Sequence, residues 1–346
     1  MEPLKLGVAY HSNRLMSHVR TDLQDIIAHH FNTVIHMFTH NDWKRCPSVM
    51  KDIFSLTTEL GLDYWVDNWG LMGSPGDPSH FLSYYPTAGR YLSDGTLNAP
   101  YVCLNSPEFV SWTKEWIDIV YEAGGRKIFW DEPFLSLTPE RFACGCPRCK
   151  KLFAERYGRE MPVVPDKDCC DFQVWTIVNY FEQVTAYSKA KGMENAVCVM
   201  LGGQHGISLD NIGELGKLST MDNIGSDPYW VGKQAANPDL NVYQFVMDGT
   251  RENLRVANQF GKDHNIWIQT YNNPKGKEED IILAAEAAYD AGARTIIAWG
   301  YYGSISNDYA AQNAPVTWAK TCEAMQRIRT FERDRILAEN RKLFLK

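Results

Sequence analysis

The most constraining feature of this chain is a rhythm in which short apolar, strand-like runs alternate with longer amphipathic segments. Runs rich in β-branched and aromatic residues fall at about 5–11 (KLGVAYH), 33–39 (TVIHMFT), 63–69 (DYWVDNW), 127–132 (KIFWDE), 196–202 (AVCVMLG), 223–229 (NIGSDPY), 266–272 (IWIQTYN) and 295–301 (TIIAWGY). Between them, segments such as 106–124 (SPEFVSWTKEWIDIVYEAG) and 278–293 (EEDIILAAEAAYDAGA) space apolar residues by three and four and run out into glycine, as helices do. Eight βα units predict an α/β fold, the (β/α)8 TIM barrel, and a chain of 346 residues fits one such domain over 1–346. Long loops are expected after strand three (70–105) and strand four (133–168), and a charged terminal helix from about 315.

Charge narrows the partners. A formal net charge of −7 with no long Lys/Arg run lacks the electrostatic footprint of a nucleic-acid binder. The first residues, MEPLKLGVAYHS, show no basic stretch followed by a long apolar one, and no segment reaches the ~18 apolar residues of a membrane span. A soluble, cytoplasmic protein is expected, with its oligomeric state open. The odd count of nine cysteines, several inside patterned elements, speaks for reduced thiols rather than a disulfide framework.

In a barrel of this kind the chemistry sits where the strands end. Those ends are polar: Tyr10 and His11, His36 and His40, Asp67 and Asn68, Asp131 and Glu132, His205 in the loop after strand five, Asp227, then Gln269, Tyr271 and Asn272, and Trp299, Tyr301 and Tyr302. Aromatic residues crowd the same places, in DNWG, DPYW, QTYNN and WGYYGS, where flat rings suit the apolar faces of sugars as well as they fill a core. Of these, Tyr10, His11, His40, Asn68, His205, Gln269, Tyr271, Trp299 and Tyr301 are the expected contacts to a carbohydrate. A metal site built from His11, His40, His205 and Asp67 has no supporting His-x-His or His-Glu-x-x-His spacing.

Cys144, Cys146 and Cys149 in ACGCPRC have C-x-C-x2-C spacing, and Cys103 precedes them in the other long loop. Four thiolates close a tetrahedral zinc site with no open position, so a metal here is structural. Cys169 and Cys170 are rival fourth ligands. Such a clip would pin two long loops over the barrel mouth.

Glycosidic bond cleavage needs a proton donor at the leaving oxygen and a second carboxylate that attacks the anomeric carbon or activates water. Glu132, crowded by Trp130, Pro133 and Phe134, suits the donor. Side chains alternate along a regular strand, so Asp131 is expected on the opposite side, one of the pair facing the mouth and the other bracing a loop.

The run from Cys103 through NSPEF, a helix, WDEP and CGCPRCKKLFAERYG, roughly residues 100–158, resembles glycoside hydrolase family 42, the zinc-containing β-galactosidases of the retaining clan A barrels. The resemblance implies that Glu132 is the acid/base and that Cys103, Cys144, Cys146 and Cys149 hold zinc. Two positions depart from it. Asp131 stands where the family has Asn, and strand seven offers Gln269 where the clan keeps its nucleophilic Glu. Asp227, closing strand six, is the nearest replacement, although Asp before Pro also caps turns. The sequence therefore predicts a hydrolase of small soluble glycosides with Glu132, Asp227 and Asp131 as its carboxylates. A carbohydrate isomerase, epimerase or lyase, or a sugar-binding barrel without catalysis, is the alternative.

Overall fold

The computed structural model describes residues 3–11, 13–69, 79–202 and 206–344. Among the described residues there are ten strands: β1 (Lys5–Tyr10), β2 (Thr33–Met37), β3 (Asp63–Asp67), β4 (Gly89–Tyr91), β5 (Leu97–Val102), β6 (Lys127–Trp130), β7 (Glu194–Met200), β8 (Asn223–Asp227), β9 (Asp263–Gln269) and β10 (Thr295–Trp299). Eight of them close a parallel barrel in the order β1-β10-β9-β8-β7-β6-β3-β2, the expected (β/α)8 architecture. The other two, β4 and β5, pair antiparallel within the long loop after β3. The β5 sequence, LNAPYV, is largely exposed, contains Pro and has no strand alternation. Each barrel strand stops one to three residues before its expected end, so most of the polar residues of the mouth sit on turns, and Asp67, Asp227 and Gln269 close their strands.

Alternation along the strands sorts side chains into two cores. Leu6, Val8 and Tyr10 of β1, Val34 of β2, Val66 of β3, Ile128 and Trp130 of β6, and Ile266 and Ile268 of β9 face the surrounding helices. The other parity fills the barrel: Ala9, Ile35, Met37, Trp65, Phe129, Cys198, Trp267, Ile297 and Trp299. Inner packing tolerates no side chain at Gly225, where a Cβ would stand 2.0 Å from the Asn265 Oδ1. Asn265 is thereby fixed across the barrel floor, donating to Asn223 Oδ1 (2.5 Å) and accepting from Trp267 Nε1 (2.8 Å).

Helix ends follow local chemistry. The helix Pro107–Ala123 starts at Ser106, whose Oγ accepts from the Phe109 amide at 3.3 Å, and ends at Gly124 with φ of 108°. Its buried face, including Phe109, Trp112, Trp116 and Val120, is the stripe legible in the sequence. The charged tail forms one helix, Ala314–Phe344. Among the described residues no helix is long and apolar enough to cross a membrane.

Candidate functional site

At the C-terminal ends of the strands a cavity of about 190 Å3 is lined by Trp69, Asp131, Glu132, Tyr229, Tyr271, Trp299 and Tyr309. Continuous aromatic contact leads to it from the barrel interior. Phe129 and Trp267 are 4.6 Å apart between ring centroids, Trp267 and Trp299 5.4 Å, and Trp299 and Trp69 6.1 Å. On the far wall Tyr229 meets Tyr271 edge-on at 5.2 Å.

Asp131 and Glu132 both face this cavity, contrary to the opposite-face expectation. The reason is that β6 ends at Trp130, so strand alternation no longer applies, and Glu132 adopts a φ of +31°, a conformation rare for a non-glycine residue. Asp227, 4 % exposed, lies behind the lining, and its carboxyl hydrogen-bonds that of Glu132. Asp67 completes the group; it is fully buried, and no side chain among the described residues donates to either of its oxygens. Burial pushes the Asp67 carboxyl up, against the pull of the Trp69 amide. The Asp131 carboxyl is pushed up by burial and by the charges of Asp67 and Glu132. Asp227 is also pushed up, by burial and then by Glu132 and Asp131. Asp227 therefore keeps its proton where it meets Glu132.

The remaining expected contacts divide. Tyr271 and Trp299 line the cavity. His11 stands beside it, its ring stacked 5.9 Å from Trp69, and burial with the nearby Arg14 charge pushes it down to about 4, so the imidazole is neutral. Tyr10 points outward instead, its hydroxyl donating to Asp22 at 2.7 Å. Tyr301 packs 5.7 Å from Tyr10 and reaches Asp25 at 3.2 Å. His40 is 3 % exposed against Trp43 and Trp112 and accepts from Trp112 Nε1 at 2.7 Å. The Gln269 amide binds the protein itself, accepting from Val231 N (3.1 Å) and donating to Tyr271 O (3.4 Å). Asn68 is buried and outside the lining. His205 lies outside the described residues.

Trp69, Tyr229 and Tyr309 line the cavity in addition to the expected contacts. The first two stand in the DNWG and DPYW clusters, at the inward parity of their strands, which was the available signal. Tyr309 comes from the loop after β10, brought in by the Asn272 amide bonding its carbonyl at 2.8 Å, and no local pattern marks it.

The four expected cysteines do converge. The ligand atoms of Cys103, Cys144, Cys146 and Cys149, all buried, lie within 4.8 Å of one another. Cys103 Sγ is 3.5 Å from Cys149 Sγ and 3.6 Å from Cys146 Sγ. Thiolates about 2.3 Å from one tetrahedral ion stand about 3.8 Å apart, so the set fits a zinc-sized ion. Cys169 is buried nearby but outside the set, and Cys170 is exposed.

Backbone geometry assembles this cluster. The segment 142–145 lies on the β4–β5 hairpin through Ser93 N to Phe142 O and Gly145 N to Tyr91 O, both 2.7 Å. A Cβ at Gly145 would stand 2.6 Å from Leu92 O, which is why the C-x-C spacer is glycine. Arg90, 1 % exposed, stacks over Tyr101 at 4.8 Å and Phe134 at 5.9 Å, and its Nε donates to Val102 O at 3.1 Å. Burial pushes its guanidinium down to about 10, against the thiols of Cys144 and Cys103, which favour the charge. Phe134 follows Glu132 by two residues, so one cation spans the thiol cluster and the loop that carries the cavity's glutamate.

No family model and no curated protein sequence matches the chain. Solved structures do. The catalytic domain of β-amylase from Paenibacillus polymyxa superposes with a TM-score of 0.63 at 10 % identity, covering 92 % of this chain and 98 % of that one. The endo-β-1,4-mannanase from Thermotoga petrophila gives 0.59 at 13 %, covering 96 % and 78 %. A D-allulose 3-epimerase from Methylomonas sp. gives 0.51 at 10 %, covering 95 % and 99 %. Likeness at this identity establishes the fold class, a (β/α)8 barrel.

Proposed function

We propose that this protein is a glycoside hydrolase acting on a small soluble glycoside, with a structural zinc at Cys103, Cys144, Cys146 and Cys149. The observation that carries the reading is the pair Asp131 and Glu132 facing one aromatic-walled cavity at the ends of the strands. A cavity of about 190 Å3 is small beside the ~300–1,000 Å3 of drug-sized sites, which suits one sugar ring. The family 42 likeness over 100–158 and the glycosidases among similar folds point the same way.

Glu132 reaches the cavity and is the group to meet the glycosidic oxygen; Asp227, hydrogen-bonded behind it, can pass its proton forward and take it back. That contact is closer than the ~5–5.5 Å separation of a retaining pair, so in this conformation no sugar ring fits between Glu132 and Asp227. Asp227 therefore serves as nucleophile or base only if substrate parts the two carboxyls. Otherwise Asp131, already facing the cavity, takes that part. The zinc would contribute loop order and no reaction step, because four thiolates leave no vacant position. Turnover of a panel of glycosides is the test: Glu132→Gln should cut cleavage of those with poor leaving groups far more than that of activated nitrophenyl glycosides, which need little protonation; a panel left wholly intact by the native protein contradicts the reading.

One observation favours a second reading. A hydrogen-bonded carboxyl pair, with no carboxylate ending β9, also suits proton transfer at a sugar carbon, as in an epimerase or isomerase. Exchange of solvent deuterium into free sugars, without glycoside cleavage, would select it.

A further inference from the structure

Four carboxyl groups gather at the cavity, Asp131 and Glu132 in its lining and Asp67 and Asp227 buried behind it. No Lys or Arg lines the cavity among the described residues. Arg14, whose charge reaches His11, is already held by Asp42 through bonds of 2.6 and 2.9 Å. Neither oxygen of the fully buried Asp67, nor Oδ1 of Asp227, is served by a donor side chain. Buried acceptors left this way cost free energy until something supplies positive charge or hydrogen-bond donors.

The walls above indicate what supplies it. Trp69, Trp299, Tyr229, Tyr271 and Tyr309 present rings around the same space, and ring faces attract cations. A space with carboxylates at its base and rings around it is complementary to an organic cation, and hostile to a phosphorylated or carboxylated sugar. A divalent metal fits less well. Among the described residues, the thiol cluster is the one group of three or more such side chains whose donor atoms lie within 4.8 Å of one another, so these carboxylates do not converge on one coordination sphere.

We infer that the carbohydrate this cavity takes is cationic, an amino sugar whose protonated amine sits against Asp131, with Asp67 and Asp227 behind the lining, while its ring packs on the aromatic wall. The inference rests on the carbohydrate reading above and narrows it to a substrate class.

The test is calorimetric titration of the intact protein with glucose, galactose and mannose, and with the amino and acetamido counterpart of each, at a pH below the pKa of the amines. At least one amine should bind about ten-fold tighter than both of its neutral partners, the size of one hydrogen bond to a charged group. Three amines binding no tighter than their partners would overturn it. So would saturable binding of Mn2+ or Mg2+ that displaces the amines. Neutral and amino nitrophenyl glycosides run on the same preparation separate the two readings. Cleavage of neutral glycosides without amine preference removes the cationic substrate and leaves the hydrolase. Amine preference in binding without cleavage of any glycoside removes the hydrolase and leaves the cationic ligand.

Discussion

Two clusters of acidic donors stand at the barrel mouth and are built to opposite plans. The four thiols are closed: their sulfurs are mutually within 4.8 Å, a buried guanidinium acts on them, and Asn105 Nδ2 donates to Cys149 Sγ at 3.4 Å. The four carboxyls are open: oxygens of Asp67 and Asp227 have no donor side chain, and Asp131 and Glu132 face a cavity. A site holding an ion permanently satisfies its donors within the protein. A site meeting a passing ligand leaves them unsatisfied and stores the cost elsewhere in the fold.

The contrast is broken most directly at Glu132. Glu132→Gln should lower glycoside turnover by about 10²–10⁴-fold, the usual contribution of a positioned acid, with the melting temperature nearly unchanged. A loss of similar size in melting temperature instead would show that Glu132 belongs to the scaffold.

Cys149→Ser should do the reverse. Bound zinc, read by metal analysis, should fall from about one per chain toward none. Stability should drop by about 4 kcal/mol where free zinc exceeds its dissociation constant a thousandfold. Native protein purified without chelator and free of zinc would contradict the closed-site account.

How much of this was legible follows from what each feature depends on. The barrel was, because period-two and period-3.6 patterns are local and eight units close in one way. The cysteines were, because C-x-C-x2-C spacing and the obligatory Gly145 are local too. The cavity was half legible. Parity along β1 already set Tyr10 with Leu6 and Val8 on the outer face, so its exclusion could have been read. The turn that brings Asp131 and Glu132 to one side depends on where β6 stops and on a left-handed φ, which no pattern announces. Tyr301 escaped parity because the chain enters a 3-10 turn at Tyr301–Ser304 immediately after β10.

A smaller effect sharpens the comparison from the charge side. The folded-state pKa of Asp67 is raised by burial, so the folded protein binds the proton more tightly than the unfolded chain. Its contribution to stability is fully present below the ordinary carboxylate value and is lost as pH rises through the raised one. Asp67→Asn should therefore melt higher than the native protein near neutral pH, and the gap should close on acidification toward the ordinary aspartate range. A gap independent of pH would mean that Asp67 is satisfied by some other means.

The least effect is expected at Tyr10. Removing its hydroxyl in Tyr10→Phe deletes the 2.7 Å bond to Asp22 and should cost about 1 kcal/mol of stability without changing turnover. A change in KM there would return Tyr10 to the site.

The central claim, that the open carboxylate cavity and not the closed thiol cluster does the chemistry, is tested most directly by a crystal structure of Glu132→Gln soaked with a cleavable glycoside. The account predicts a sugar ring bounded by Trp69, Tyr229, Tyr271 and Trp299, with its glycosidic oxygen within hydrogen-bond reach of the residue-132 amide. A sugar bound elsewhere, such as the separate cavity beside Thr138 and Asp171, with the space above Asp131 left to solvent, would contradict it.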